Sequence, residues 1–566
     1  MTKAHSLASL LARPAKYKRS SLWLGIMASF LFVCLLILVV MVYGPPAILM
    51  APWDHFLLLD EAWRIRSGLI PHTDFYNPIG PLTYLLVAAG EALGHANIAA
   101  ISHGAIIFAV VALPCIILVA FSRLQPWLAC LVAVFLITLA LAVRPLGFTE
   151  QETSYAMLYN RQGWVLLSIL LLQSCIPIAS KCRSLGYIDE TLGGLLLSLL
   201  FFCKISFFIV ACAAVAARII WRGSIEVEKS LTLITAFFSI VALFAAMSWV
   251  GLFSYLQDIS MAAAAQDITS RWREIKTLIL GARIPLAGFA VIGLMSLAAA
   301  RHAHAMWWSY AQLLATGALF LGATLLLSAG NAGESSGRDL PLLFVGTVVV
   351  ANVLCKISNT HIKLTRNLNS AILILSSVLF LLPTMARDVA SIAKLLQNGG
   401  ASNTASDAVI TFKSKHLDGF LIRSDVTWKT VFTRSAQVPE WIDDGLTLLN
   451  ETVDEKSRLA VLGYGDPFSA TLGLPPAHGM PIWLVPNISF NRHSHPTSQT
   501  VLGNADYVMV PVISSTNQGC CQEFVEELMA VYGIYLSQHF TQTKQSQHWT
   551  LYQRNENGGQ QLNGGN

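Results

Sequence analysis

The chain has 566 residues, 54% of them hydrophobic and only 12% charged, with a formal net charge of +5 and a mean hydropathy of +0.58. These values exclude an ordinary soluble globular protein and place the chain in the polytopic membrane class. Its basic residues fall beside apolar runs, so the positive balance argues for membrane topology and lipid headgroups and against nucleic acid as a partner.

Residues 1–21, MTKAHSLASLLARPAKYKRSS, precede an apolar run from Leu22 to Tyr43. That run is too long for a signal-peptide core and has no A-x-A cleavage site, so it is predicted to be an uncleaved anchor. Lys3, Arg13, Lys16, Lys18 and Arg19 assign the N-terminus to the cytoplasm by the positive-inside rule. The following loop, 44–99, then emerges on the far side. It carries Asp54, Asp60, Glu61, Arg64, Arg66, His72 and Asp74, a concentration of charge that suggests a catalytic loop at a membrane face. Within it, D-E-A-W-R-I-R predicts a short helix beginning at Asp60, with Asp60 and Arg64 on one face and two carboxylates at the positive end of the dipole. An interfacial cap with a surface ion pair is the plainer alternative. Ile79 to Leu93, flanked by Pro78 and interrupted by Pro81, is too short for a span and reads as an interfacial or re-entrant helix.

Ten further spans are predicted: 100–121, 127–143, 164–179, a hairpin over 192–221 counted as two with Lys204 at its outer turn, 231–253, 284–300, 306–328, 340–357 and 370–385. Eleven spans leave the C-terminus outside. The second outer loop, RPLGFTEQETSYAMLYNRQG, holds Glu150, Glu152, Tyr159, Asn160 and Arg161; the third, with helix-compatible patterning, holds Arg271 and Arg273; the fourth, AGNAGESSGRD, holds Arg338. Outer basic residues run against the topological rule and call for a function. A lone arginine at a membrane end ordinarily snorkels, yet guanidinium forks also suit phosphate oxygens, and an unpaired Lys204 inside an apolar hairpin would be costly.

The fold class is therefore a polytopic α-helical membrane protein of about 11 transmembrane helices (22–386) with a C-terminal soluble α/β domain (387–553) and a disordered tail (554–566). Strands are expected at Leu459–Leu462, Ile482–Val485, Tyr507–Val510, Ile534–Phe540 and His548–Tyr552, with a helix from Gln522 to Tyr532. Cys34, Cys115, Cys130, Cys203 and Cys212 sit in apolar runs, where a thiol acts as a small hydrophobe. Cys520 and Cys521 could each pair elsewhere, with Cys182 excluded if it is cytoplasmic. No Cys/His spacing suits zinc, His493 and His495 lack a third ligand nearby, and GYGDPF lacks nucleotide-binding glycine spacing. No structural metal is predicted.

An uncleaved first span, an outer loop carrying Asp60-Glu61, the segment GLIPHTDFYNPIGPL and the end ALGHANIA resemble the GT-C glycosyltransferases, in particular the protein O-mannosyltransferases and lipid A aminoarabinose transferases. YNRQGW in the second outer loop and the C-terminal RLAVLGYGDPF, LGLPP and WTLYQR add to the resemblance, which covers roughly the first 200 residues well. It implies an inverting transferase that moves a sugar from a polyprenyl-phosphate donor to an envelope glycan, lipid-linked saccharide, lipid A or protein. Its setting would be the periplasmic face of the bacterial inner membrane. The family's first-loop aspartate corresponds to Asp60, whose role would be general base, supported by Glu61. Asp54, His72 and Asp74 are further candidates. Tyr159, Asn160, Arg161, Lys204, Arg271, Arg273 and Arg338 are expected to face the donor phosphate, Arg161 and Lys204 first. Glu150 and Glu152 stand where family members often carry a second acidic residue, outside any Asp-x-Asp pattern, so a divalent metal between the loops stays open and no other cofactor is expected. A transporter or flippase of lipid-linked sugars, or a non-catalytic envelope-assembly protein, would share part of this pattern.

Overall fold

The structure, a computed structural model, describes residues 19–93, 98–178, 183–223, 226–266, 268–330, 334–357, 364–398, 409–423, 435–512 and 522–555. Lys3, Arg13, Lys16, Lys18, residues 94–97 of the ALGHANIA stretch, Cys182, Cys520, Cys521 and most of the predicted tail lie outside the described residues.

Helix α1 (Arg19–Tyr43) is followed by α2 (Pro52–Arg66) and α3 (Leu82–Leu93), then by α4 (Ala99–Arg123), α5 (Pro126–Leu141) and α6 (Leu158–Cys175). Helices α7 (Arg183–Cys203) and α8 (Ile205–Ala217) are separated only by Lys204, whose extended backbone breaks the helix. Then come α9 (Val227–Ala246), α10 (Leu252–Ala265), α11 (Ile268–Gly281), α12 (Arg283–His302), α13 (Trp307–Ser328) and α14 (Pro341–Ile357). Helices α15 (Leu364–Ser376) and α16 (Leu382–Asn398) are joined by a π-helical turn at Ser377–Leu381, a local widening typical of a helix carrying an extra residue.

Among the described residues, eight helices are long and apolar enough to cross a membrane: α1, α4, α7, α8 with its extension to Arg222, α9, α12, α13 and the continuous α15–α16 rod. Helices α5, α6 and α14, which overlap the other three predicted spans, are shorter or less apolar than these eight. Helix α3 stays a short apolar helix that lies against α4 through its glycines. A Cβ on Gly90 would fall 2.3 Å from the Ala100 carbonyl oxygen, and one on Gly104 2.9 Å from that of Leu86. Backbones this close are how helices pack without a hydrophobic drive between them. The last span runs on to Asn398, beyond the predicted end near Met385, because Ile392 and Leu395 remain buried and keep the helix anchored.

Two polar networks mark opposite ends of the bundle. At one, Arg123 reaches Asp189 at 2.5 Å, and Arg218 reaches Glu190 at 2.6 Å. At the other, where α2 lies, Arg144 contacts Asp339 at 2.7 Å and Asp388 at 2.8 Å, while Arg387 holds Asp339 at 2.7 Å. Burial would raise Asp339, but Arg144 and Arg387 outweigh it and hold the carboxyl well below its usual range.

The C-terminal region builds β1 (Val409–Thr411) and β2 (Leu421–Arg423) as an antiparallel pair. A second sheet has the order β3 (Leu459–Val461), β4 (Tyr507–Pro511), β6 (Trp549–Arg554), β5 (Phe540–Gln545), with β3 and β4 parallel and the rest antiparallel. Helices α17 (Val438–Asn450) and α18 (Gln522–His539) complete the region. Two expectations are corrected here. Residues Ile534 to His539 are helical, because Leu528, Tyr532 and Leu536 are buried at four-residue spacing, the period of a helix and not of a strand. Ile482 to Val485 forms no ladder: it is bounded by Pro481 and Pro486, and the N–H groups of Ile482 and Leu484 donate to the carbonyls of Tyr76 and Tyr464.

Candidate active site

Helix α2 starts at Pro52, where proline's fixed φ suits the first helical turn. Asp54 in the first turn and Arg64 and Arg66 in the last complement its dipole. The predicted start at Asp60 is thus eight residues late, and Asp60 and Glu61 sit mid-helix rather than at a positive end. The i, i+4 pair itself is present, with Arg64 Nη2 2.9 Å from Asp60 Oδ2. This pair is no surface ornament, since Asp60 and Glu61 are 0% exposed and Arg64 1%. Nothing in a single sequence tells a solvated charged helix from one that later segments bury.

The covering comes largely from the C-terminal region. Arg64 Nη1 donates to the Met480 carbonyl at 2.7 Å, Trp63 Nε1 to that of Leu474 at 3.1 Å, and the Tyr464 hydroxyl to Asp54 Oδ1 at 2.7 Å. Both Arg64 bonds to Asp60 end on Oδ2, which leaves Oδ1 buried without a hydrogen-bond partner among the described residues. Burial pushes Asp60 up to about 7, against the pull of Arg64 and with the Asp466 charge adding to the rise. Burial likewise raises Asp54 to about 6, with the Tyr464 bond holding it back, and raises Glu61 well above the carboxylate range despite Asn77.

Glu61 is fixed by Asn77, whose Nδ2 lies 2.9 and 2.8 Å from its two oxygens. Asn77 is fixed in turn: its Oδ1 accepts from Ile79 N at 2.9 Å, and its backbone N–H donates to Asp258 on α10 at 3.1 Å. The same Asp258 oxygen pairs with His72 Nδ1 at 2.9 Å. His72 adopts φ 67°, Ala51 before α2 φ 46° and Met157 before α6 φ 55°. Left-handed backbone in non-glycine residues stores strain.

Asp54, Tyr84, Tyr159, Met157, Tyr464 and Trp483 line a cavity of about 20 Å³. Behind Tyr159 lies Lys204, with Nζ 5.2 Å from the tyrosine ring centre and 3.1 Å from Asn160 Oδ1. Burial pulls the ammonium below its usual value, Glu334 opposes this, and the Arg271 charge adds to it. Asp54 on α2 thus lines a tyrosine-walled space, and the cation at the α7–α8 break contacts the ring of one of its walls, Tyr159.

The remaining predicted residues sit elsewhere. Arg161 is buried, with Nη2 3.0 Å from Asp388 and its other nitrogens on the Arg144 and Leu139 carbonyls, so its guanidinium is committed within the protein. Asp74 closes the 70–74 turn through Ile70 N–H at 2.6 Å, and Glu152 accepts from Thr149 in its own turn at 2.6 Å. Glu150 is half-buried in that turn, while Arg271, Arg273 and Arg338 are exposed. Among the described residues no three of His, Cys, Asp and Glu are grouped to hold a metal ion. Sequence reasoning missed Asn77, Tyr84, Asp258, Tyr464 and Glu334. Each is a single polar residue in an unremarked context, although Tyr464 lies in GYGDPF and Asn77 in YNPIGP.

The chain is thus a multi-pass α-helical membrane protein whose buried polar site is roofed by a C-terminal α/β region. No protein-family model matches it, nor does any curated protein. It is similar to the solved structure of ArnT from Cupriavidus metallidurans in the apo state, at 11% identity and a TM-score of 0.47, over 92% of this chain and 97% of that one. The structure of the same protein bound to undecaprenyl phosphate is similar at 10% identity and a TM-score of 0.44, with the same coverage.

Proposed function

We propose that the protein is an inner-membrane glycosyltransferase that moves a sugar from a polyprenyl-phosphate donor to an envelope acceptor on the periplasmic face. The observation that carries this reading is the pair of buried carboxylates Asp60 and Glu61 on α2, with Asp54 of the same helix lining a space walled by Tyr159, whose ring the Lys204 ammonium approaches. The resemblance read from the Asp60-Glu61 loop and the GLIPHTDFYNPIGPL segment supports it.

In this reading Asp60 is the general base. A carboxylate held by one oxygen, with the other unpartnered and an ionisation near neutral pH, is suited to receive a proton. The acceptor hydroxyl oxygen bonds to the anomeric carbon from the side opposite the phosphate, and the bond from that carbon to the phosphate oxygen breaks. The polyprenyl phosphate leaves as an anion, and the hydroxyl proton passes to Asp60. Lys204, supported by Arg271, stabilises the departing phosphate, since a cation aimed where charge develops lowers the barrier most. Arg161 takes the supporting role of holding the second loop in place.

Reconstitution in liposomes with a radiolabelled polyprenyl-phosphate sugar and envelope extract tests the reading. Label transfer that is lost in Asp60→Asn supports it. Undiminished transfer in that variant removes Asp60 from the chemistry, and absence of transfer with every acceptor returns the protein to lipid-linked sugar transport or envelope assembly.

A further inference from the structure

Helix α11 packs against the rest of the protein through one narrow stripe. Leu278 and Ala282, the latter just past its end, are fully buried, and Ile275 is half-buried; together they form an i, i+3, i+7 row. A Cβ on Gly337 would run into Ala282, so the row lies against the 334–337 turn. That turn precedes Asp339 of the Arg144 network, which puts α11 at the α2 end of the bundle. The opposite surface of α11 is open. Trp272 is 69% exposed, Leu280 58% and Ile279 44%, and Arg273 and Lys276 are exposed beside them. Trp272, Lys276 and Ile279 make one row, and Arg273, Lys276 and Leu280 the next, so cations alternate with large apolar groups on a single face. Neither cation has an ion-pair partner among the described residues. Glu274, the one acidic residue of the helix, is two residues from Lys276 and falls on the other side.

What covers this face follows from its neighbours. Ala282 alone separates α11 from α12, a helix long and apolar enough to cross the membrane, and the exposed Ile284, Val291 and Leu294 of α12 carry the apolar surface of α11 on into the lipid-facing side of the bundle. At 1.5 Å per residue α12 covers about 30 Å, the thickness of a hydrocarbon core. Just beyond its far end stand Trp307 and Trp308, exposed and stacked with ring centres 3.9 Å apart. Exposed tryptophans thus flank the span at both ends, the arrangement of the two membrane–water boundaries, and Trp272 marks the boundary on the α2 side. A second copy of the chain meeting the face about a two-fold axis would set its unpaired cations against each other.

We propose that α11 is an interfacial helix whose open face binds the headgroups of anionic phospholipids in the surrounding membrane. Trp272, Ile279 and Leu280 rest at the acyl boundary, while Arg273 and Lys276 donate to phosphate oxygens at headgroup level, the division of labour of a basic amphipathic helix lying in the membrane plane. Arg273, expected from the sequence to face the donor phosphate, is thereby assigned to bulk lipid. The inference is independent of the transferase reading, since it needs only the membrane and the charge of its lipids.

The test titrates the full chain in detergent with dioleoyl phosphatidylglycerol or dioleoyl phosphatidylcholine and reads lipid adducts by native mass spectrometry. The anionic lipid should bind about tenfold tighter than the zwitterionic one. The double variant Arg273→Gln/Lys276→Gln should lose about tenfold or more of that affinity, as expected for two cations at a charged surface, with phosphatidylcholine binding unchanged and the fold intact by circular dichroism. Equal binding of the two lipids, or unchanged phosphatidylglycerol binding in the variant, overturns the proposal. A second measurement keeps all substitutions off the cations: with photoreactive benzoylphenylalanine in place of Trp272, in nanodiscs of the two phospholipids mixed equally and doped with undecaprenyl phosphate, the crosslinked product should be phosphatidylglycerol. Crosslinking to undecaprenyl phosphate, to a second copy of the chain, or to the two phospholipids alike overturns it.

Discussion

At the scale of single residues, burial turns an ordinary i, i+4 pair into a candidate base. Asp60 accepts a proton only when ionised, so with its carboxyl near 7 the rate should fall as pH drops through that value and level off above it. Arg64 favours the ionised form, so Arg64→Met raises the Asp60 value further and moves the acidic limb of the kcat/KM profile to higher pH. A limb that stays in place assigns the titration to another group. Asp60→Asn should cost about 10²- to 10⁴-fold in kcat, the usual contribution of a positioned base. Lys204→Met should instead weaken undecaprenyl phosphate binding, measured by titration in nanodiscs, with the fold intact by circular dichroism. Asp60 was legible as a candidate from charge density and resemblance alone. That one of its oxygens is free was not, because this depends on Met480 and Arg64 meeting across more than 400 residues of chain.

At the scale of elements, the buried arginine network ties the 142–157 loop to α14 and α16. Asp388 accepts from both Arg144 and Arg161, so Asp388→Asn leaves two buried guanidinium groups undercompensated. The expected loss is about 3–5 kcal/mol, seen as a drop of several degrees in the thermal midpoint of the detergent-solubilised protein; an unchanged midpoint would mean that water already satisfies the pair. The α3–α4 contact makes a second demand. Gly90→Val pushes side-chain atoms into the Ala100 backbone and should lower the midpoint as well, without altering the pH profile. Helix positions were readable wherever hydrophobic runs of span length occur. The start of α2 was not, since WDHFLLL lacks an N-cap side chain and opens instead on a strained Ala51.

At the scale of the whole molecule, the C-terminal region is the roof of the site. It contributes Tyr464 to Asp54 and the Met480 carbonyl to Arg64. A chain ending at residue 408 should still insert in the membrane but lose transfer entirely, whereas retained transfer would reduce the region to an appendage. A periplasm-specific reporter fused after Asn555 should be active, and a cytoplasmic signal there would break the eleven-span topology. The sequence by itself determined the membrane class, the positions of the long apolar helices and the loop where chemistry is sought, because hydrophobic length and charge density are local properties that each segment carries alone. Tertiary structure alone decided that Asn77 and Asp258 hold Glu61, that Arg161 is spent on Asp388, and that Lys204 meets the ring of Tyr159, a wall of the space that Asp54 lines. Those are meetings of residues from separate helices, and only the packing of the bundle and its roof brings them within hydrogen-bonding or Coulombic reach.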